Sequence, residues 1–344
     1  MLKEYLHQVL SGQHLTRQQA GEAMNVIMSG QASEAQIGSF LTALKLKGET
    51  SSEITGFAET MRSHAERIVC RQSRLIDTCG TGGDCKGTFN VSTTVAFVLA
   101  GAGLAVAKHG NRSVSSSCGS ADVLAALGVN VELAPQTAAA AIDEINVGFL
   151  FAPTFHKAMK YAAKPRKDLG FRTVFNILGP LSNPAKANYQ LIGVYDQDLT
   201  EKVAGALLGL GVERAMVVHS FDGLDEISTT APTQVTEVRD EKLYSYVINP
   251  LDYGFHAAAP DDYLGGTAEQ NAEIVLQVLQ GQLGPKRDIV LINAAAALYI
   301  AGSVSDLQTG LELAAASIDS GKAYAKLHDL KNFSHRLREE ALLS

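Results

Sequence analysis

The sequence predicts an α/β protein, with a large domain built on a mostly parallel central sheet covered by helices, beside a small all-helical domain. Three observations carry this. Residues 1–70 hold four amphipathic helical stripes and no strand-like run. From residue 71 to 344 short apolar runs alternate with helical stretches, the rhythm of parallel strands joined by crossovers. Two polar loops follow two of the predicted strands, as at the ligand edge of an open α/β sheet.

Taken in order, Leu2, Tyr5, Leu6, Val9 and Leu10 share one helical face. Thr16 with Gln19, Ser33 with Gln36 and Thr50 with Glu53 are capping boxes, each opening a further helix. Core packing accounts for their apolar stripes, and one exposed stripe can serve a dimer interface. Leu75-Ile76 begins the first strand and leads into Gly80-Thr81-Gly82-Gly83-Asp84. An apolar helix follows Asn90, Ser92, Thr93 and Thr94, whose ordinary role there is N-capping. Leu104–Ala107 is a strand ending in the polar turn Lys108-His109-Gly110-Asn111-Arg112. Next come a helix over Ser120–Leu127, a strand over Val129–Leu133, a helix over Pro135–Ile145 and a strand over Phe149–Ala152. Thr154–Gly179 is mostly helical and basic, with Lys157, Lys160, Lys164, Arg166, Lys167 and Arg172. The glycine and prolines of Asn176–Pro184 mark a long ordered loop. Tyr189–Tyr195 and Ala215–His219 are strands flanking the helix Leu199–Leu210. Val235–Arg239 and Leu243–Val247 form a hairpin, and the chain from Thr267 is helical, with a buried Ala-rich run over Ile292–Ala301.

Composition narrows the function. The 344 residues are 46% hydrophobic and 19% charged, ample for a buried core. A net charge of −7 argues against a general nucleic-acid binder. No apolar stretch reaches membrane-spanning length, and MLKEYLHQVL is amphipathic rather than a leader, so a cytoplasmic protein is expected. Cys70, Cys79, Cys85 and Cys118 form no CxxC pair and read as reduced thiols.

The glycine loop is neither of two familiar phosphate fingerprints. A GxGxxG motif needs glycine where Cys85 stands, and a Walker loop needs a GK[ST] ending. Alone, such a turn is more often just a tight turn; its hydroxyl- and amide-rich sequel makes an anion cradle plausible chemistry. Lys108 can meet a phosphate as a point charge, Asn111 can hydrogen-bond a carboxylate or ribose hydroxyl, and Arg112 can be structural. Asp225-Glu226, after a strand, are hard oxygen donors suited to Mg²⁺ shared with substrate phosphates, although adjacent acids are commonly just solvated. Asp84 suits ordering its own loop. His156 and His219 suit packing or capping, and Arg166 can grip a carboxylate bidentately.

Together these motifs are more specific than apart. Gly80–Asp84, Thr88-Phe89-Asn90-Val91-Ser92-Thr93, Lys108–Arg112 and Gly119-Ser120-Ala121-Asp122 resemble the anthranilate phosphoribosyltransferase family. So do Phe171–Pro184, with its Asn176-Ile177-Leu178-Gly179-Pro180-Leu181 core, and Asp222-Gly223-Leu224-Asp225-Glu226. The resemblance spans nearly the whole chain. It implies transfer of phosphoribose from phosphoribosyl pyrophosphate to anthranilate, with Mg²⁺ as cofactor, in tryptophan synthesis. It implies that part of 163–190 joins the helical domain, and that a homodimer forms through that domain. By position, Gly80, Gly82, Gly83, Asp84, Thr88, Asn90, Ser92, Thr93, Lys108 and Ser120 would hold phosphoribosyl pyrophosphate. Gly80, His109, Asn111, His156, Arg166 and Gly179 would line the anthranilate path, and Ser92, Asp225 and Glu226 would bind the metal. No residue is assigned as general base. Cys85, where the family commonly has glycine, and Cys118 are departures that remove no needed group. Two other readings stay open: a pyrimidine nucleoside phosphorylase of similar fold, and a nucleic-acid-binding relative without catalysis. The first is answered less well by Lys108–Arg112, and the second is opposed by the acidic charge.

Overall fold

The computed structural model describes residues 2–84, 86–113, 118–255 and 258–343. The chain begins with four helices, α1 (Leu2–Leu10), α2 (Arg17–Met28), α3 (Glu34–Lys47) and α4 (Ser51–His64). All three capping boxes form. In each, the Thr16, Ser33 or Thr50 hydroxyl accepts from the backbone three residues on, and the Gln19, Gln36 or Glu53 side chain answers. Glu53 does more than cap. Fully buried, it accepts from Leu15 N–H and binds Lys47 at 2.9 Å, so a polar clip ties the helix entries together.

The sheet follows, with β1 (Leu75–Gly80), β2 (Ala105–Gly110), β3 (Val147–Phe151), β4 (Tyr189–Gly193), β5 (Arg214–Ser220), β6 (Thr233–Arg239) and β7 (Lys242–Ile248). Its order is β3-β2-β1-β4-β5-β6-β7. The first five strands pair in parallel, and β6 and β7 add an antiparallel hairpin at one edge. The sheet is mostly parallel, as expected, and the edge hairpin makes it mixed. Between β1 and β4 the order reverses, which makes the carboxyl ends of those strands the natural crevice.

Each face of the sheet buries its own layer, because successive side chains on a strand alternate sides. Ile76, Val106, Leu191, Met216 and Val218 pack with α5 (Val91–Gly101) and α13 (Pro285–Ile300). That layer continues through α12 (Ala268–Leu279), α14 (Leu307–Asp319) and α15 (Lys322–Leu343). The run Ala294–Ala297 is fully buried inside α13, as its composition predicts. On the other face Ile192, Ala215 and Val217 join α11 (Leu199–Gly209) and the N-terminal helices. The same cluster takes in Ala162 of α9 (Lys160–Leu169) and Val174, Ile177 and Leu178 of α10 (Val174–Leu181).

Three expected elements differ. Val129–Leu133 is not a strand. Its apolar residues are buried in alternation, but it has no ladder partner; Asn130 instead bonds Ser334 of α15, linking α6 (Ser120–Ala126) to α7 (Pro135–Ile145). Asn176–Pro184 is not a loop throughout, since α10 runs to Leu181 with Pro180 inside it. The Asn176 side chain accepts from Thr173 N–H at 3.0 Å at the start of that helix, whose apolar face outweighs the proline signal. The strand expected over Phe149–Ala152 starts earlier, at Val147, and Ala152 instead opens the short helix α8 (Ala152–Phe155). Among the described residues no helix is long and apolar enough to cross a membrane.

Candidate active site

Four strand ends meet at the crevice. β1 delivers the glycine loop, whose Gly82 and Gly83 take left-handed φ of 63° and 78°. Thr81 N–H donates to the Gly193 carbonyl at the end of β4, and Thr81 Oγ1 accepts from Tyr195 N–H. From the far side of β5, the Asp225 carboxylate accepts Gly82 N–H at 3.0 Å. A β-carbon on Gly193 would lie 1.5 Å from the Asp225 carbonyl oxygen, so β4 and the 225–226 segment touch backbone to backbone.

Lys108 and His109 are not a surface turn. β2 runs through to Gly110, and both side chains are buried. Adjacent on a strand, they point to opposite faces. Lys108 Nζ donates to the Thr78 carbonyl and to Ser92 Oγ at 3.3 Å, toward α5. Burial pulls its pKa below the usual lysine value, and the charge of Asp77 opposes this. His109 lies on the α10 side, with Nδ1 3.2 Å from the Gly179 carbonyl. That carbonyl only accepts, so Nδ1 carries the proton and Nε2 offers a lone pair. The His156 ring lies 5.1 Å away at 60°. Burial lowers His109 to about 3, with His156 adding to the effect, and lowers His156 to about 4. Both imidazoles are therefore neutral near pH 7, and each buried Nε2 lacks a partner among the described residues. A side chain at Gly179 would enter open space.

The carboxylates are crowded. Burial, followed by the charge of Asp84, pushes Asp225 up to about 7. Burial, then Asp225, pushes Glu226 well above the ordinary glutamate value, and Lys108 pulls the other way. One Asp84 oxygen accepts Lys86 N–H at 3.1 Å, ordering its loop, and the other is buried without a donor among the described residues. Among the described residues no three His, Cys, Asp or Glu side chains form a metal cage. Crowded, under-neutralised oxygens of this kind fit Mg²⁺ that draws its remaining ligands from phosphates and water.

The other expected residues are distributed as follows. Thr88 bridges to Leu264. Asn90 stands at the N-cap of α5 without capping it; its amide donates to the Cys118 carbonyl and accepts from Asn271 at 3.0 Å. Thr93 Oγ1 is buried and has no partner among the described residues. Ser120 opens α6 and donates to the Asn111 carbonyl. Asn111 is exposed, its side chain accepting from Arg112 N–H. Arg112 is structural, bound to Asp122 at 3.1 Å. Arg166 is half-buried over the Phe175 ring, with no carboxylate within 4.0 Å among the described residues. His219 bonds the Val194 carbonyl and is a packing residue. Cys85 lies outside the described residues, as does the middle of the serine-rich loop, 114–117.

Four residues escaped the sequence reading. Asp77, Asn183, Arg172 and Tyr195 all support the site: Arg172 lies over the Tyr195 ring at 4.2 Å and donates to the Gly83 carbonyl. Asp77 had a readable signal, an acid inside an apolar strand; Arg172 was hidden within a basic run.

Two family models cover the chain: a glycosyl transferase helical bundle domain over residues 3–65 and a glycosyl transferase a/b domain over residues 72–324. An anthranilate phosphoribosyltransferase of Moorella thermoacetica is 57% identical over 327 residues, 95% of this chain and 96% of that protein. The crystal structure of the Thermus thermophilus enzyme of that name matches with a TM-score of 0.92 and 40% identity, over 96% of this chain and 99% of that one. The Saccharomyces cerevisiae enzyme, solved in complex with PRPP and Mg, matches with a TM-score of 0.89 and 28% identity, over 97% and 98%. The chain belongs to the anthranilate phosphoribosyltransferase family.

Proposed function

We propose that this chain transfers the phosphoribosyl group of phosphoribosyl pyrophosphate to the amine of anthranilate, releasing pyrophosphate, in tryptophan biosynthesis. The observation that carries this reading is the division at the end of β2. Lys108 faces the hydroxyls of α5 and the glycine loop, and neutral His109 faces α10. One strand end thus serves an anionic donor and an aromatic acceptor.

On the donor side, Gly80, Gly82, Gly83, Asp84, Thr88, Asn90, Ser92, Thr93, Lys108 and Ser120 hold the diphosphate and ribose. Gly82 and Gly83 let the backbone approach closely, and Lys108 supplies positive charge in a buried site where it is poorly screened. Ser92, Asp225 and Glu226 would hold Mg²⁺, which would supply positive charge against the departing pyrophosphate. On the acceptor side, Gly80, His109, Asn111, His156, Arg166 and Gly179 form the anthranilate path. The His109 Nε2 lone pair accepts from the aniline N–H, and Arg166, which has no carboxylate partner among the described residues, takes the substrate carboxylate. A neutral aniline needs positioning more than deprotonation, so no general base is assigned.

The helical domain spans residues 1–70, with part of 163–190, and the catalytic domain spans 71–344. The apolar cluster joining α2, α3 and α4 to α9 and α10 supports adding part of 163–190 to the helical domain, and the two family models, over 3–65 and 72–324, support the division. A homodimer forms through the helical domain, where Leu10 and Leu46 are exposed, and the enzyme works in the cytoplasm.

The test is loss of anthranilate fluorescence with phosphoribosyl pyrophosphate and Mg²⁺, with and without chelator. Loss only when metal is free supports the reading. No loss, or phosphorolysis of a pyrimidine nucleoside in a parallel assay, overturns it.

A further inference from the structure

Beneath both halves of the site lies a buried carboxyl. Asp77 sits on β1, fully buried, and accepts from His109, Asn183 and Cys79. His109 N–H donates to Oδ1 at 3.1 Å. Asn183 Nδ2 donates to Oδ2 at 2.8 Å and to the Ala107 carbonyl at 2.8 Å. Cys79 Sγ donates at 3.5 Å. Asn183 is itself held, because its Oδ1 accepts Ala185 N–H at 2.8 Å. The Ala107 carbonyl and the His109 N–H, on either side of Lys108 in β2, are thus pinned from below by one amide and one carboxylate.

This placement has a geometric consequence. Lys108 and His109 share one peptide unit yet serve opposite faces. The N–H of that unit is the one Asp77 accepts. A shift of that unit moves the donor-side ammonium and the acceptor-side imidazole together. We propose that Asp77, locked by Asn183, is the positioning residue that sets the distance between bound donor and bound acceptor. The proposal rests on the function given above. Asp77 touches neither substrate; it acts through the backbone of His109.

The test is kinetic. In Asp77→Asn the new amide confronts the Asn183 amide donor, and one of the two must turn away. The kcat/KM measured with each substrate varied should fall on the order of 10-fold to 100-fold, as expected for misplacement of reacting groups. Both substrates are affected, unlike a variant of a residue that serves one face. The exchanged pair Asp77→Asn with Asn183→Asp restores an amide-to-carboxylate bond, although a carboxylate at 183 cannot donate to the Ala107 carbonyl, and should recover part of both losses. Should Asp77→Asn fail to fold, Asn183→Ser carries the same test, since it frees the carboxylate without removing it, and both values should again fall. Parental kinetics in whichever of these variants folds, or a loss confined to one substrate, overturns the proposal. If the unaltered enzyme does not consume anthranilate, the functional reading fails by itself. Hydrogen exchange across 105–112 then still reports on the pinning: faster exchange in the folded variant supports it, and unchanged exchange overturns it.

Discussion

Gly80 offers a perturbation whose consequence can be worked from distances. Its φ lies outside the left-handed region, so alanine meets no backbone strain there. A β-carbon would instead lie 2.6 Å from Asp225 Oδ2 and 3.3 Å from Cγ. A carbon and an oxygen do not approach so closely, and the carboxylate is the softer partner. In Gly80→Ala it rotates away and loses the 3.0 Å bond from Gly82 N–H. Hydrogen bonds to charged groups contribute about 1.5–3 kcal/mol. If that bond holds the carboxylate in its metal-binding pose, kcat/KM for phosphoribosyl pyrophosphate at limiting Mg²⁺ falls about 10-fold to 150-fold. Saturating Mg²⁺ recovers part of the loss. Initial rates followed by anthranilate fluorescence across a magnesium titration provide the measurement. A Gly80→Ala enzyme with the parental magnesium dependence would refute the reasoning. In Gly193→Ala the clash is 1.5 Å against the carbonyl oxygen of Asp225 itself. Backbone cannot rotate aside, so that variant loses thermal stability along with magnesium affinity.

The remaining predictions concern the acceptor side, the acids and acid stability. Arg166→Ala should raise the KM for anthranilate far more than that for the phosphoribosyl donor; the reverse pattern in steady-state kinetics contradicts its placement. Asp225→Ala with Glu226→Ala should abolish Mg²⁺-dependent turnover, and unchanged rates would remove the metal assignment. His109 and His156 have folded pKa values depressed to about 3 and about 4, so below pH 6.5 the unfolded chain binds protons that the folded chain refuses. Folding stability therefore falls as pH drops from about 6.5 toward 4, by up to about 1.4 kcal/mol per pH unit for each histidine. His156→Gln should flatten that acid limb in urea titrations at pH 7 and pH 5, and an unchanged limb counts against the burial argument.

The parts legible in the sequence were those with short-range causes. The capping boxes at Thr16, Ser33 and Thr50 formed because their donors and acceptors lie three residues apart. Strand-helix alternation gave the sheet, and the glycine loop with Lys108 gave the crevice. Long-range arrangements were not legible. Val129, Val131 and Leu133 alternate like a strand, but only the position of α15 decides that they find no ladder. Pro180 marked a break that the apolar face of α10 overrides. Asn90 looked like a helix cap, yet its amide is claimed by Cys118 and Asn271, the latter far along the chain. Asp77 matters through Asn183, a partner that no local pattern links to it.

The strand order also constrains how the molecule is made. β1 is the first strand to leave the ribosome, yet it ends in the middle of the sheet. β2 and β3 can close one side of it early, but its other side waits for β4 at Tyr189–Gly193. Until then a nascent chain exposes an unpaired edge bearing Leu75 and Ile76. The carboxylates at 225 and 226 emerge later still. A truncated product ending before them can carry the glycine loop and Lys108, but it lacks the acids that complete the proposed metal site. Premature termination therefore leaves an aggregation-prone fragment rather than a weakened enzyme.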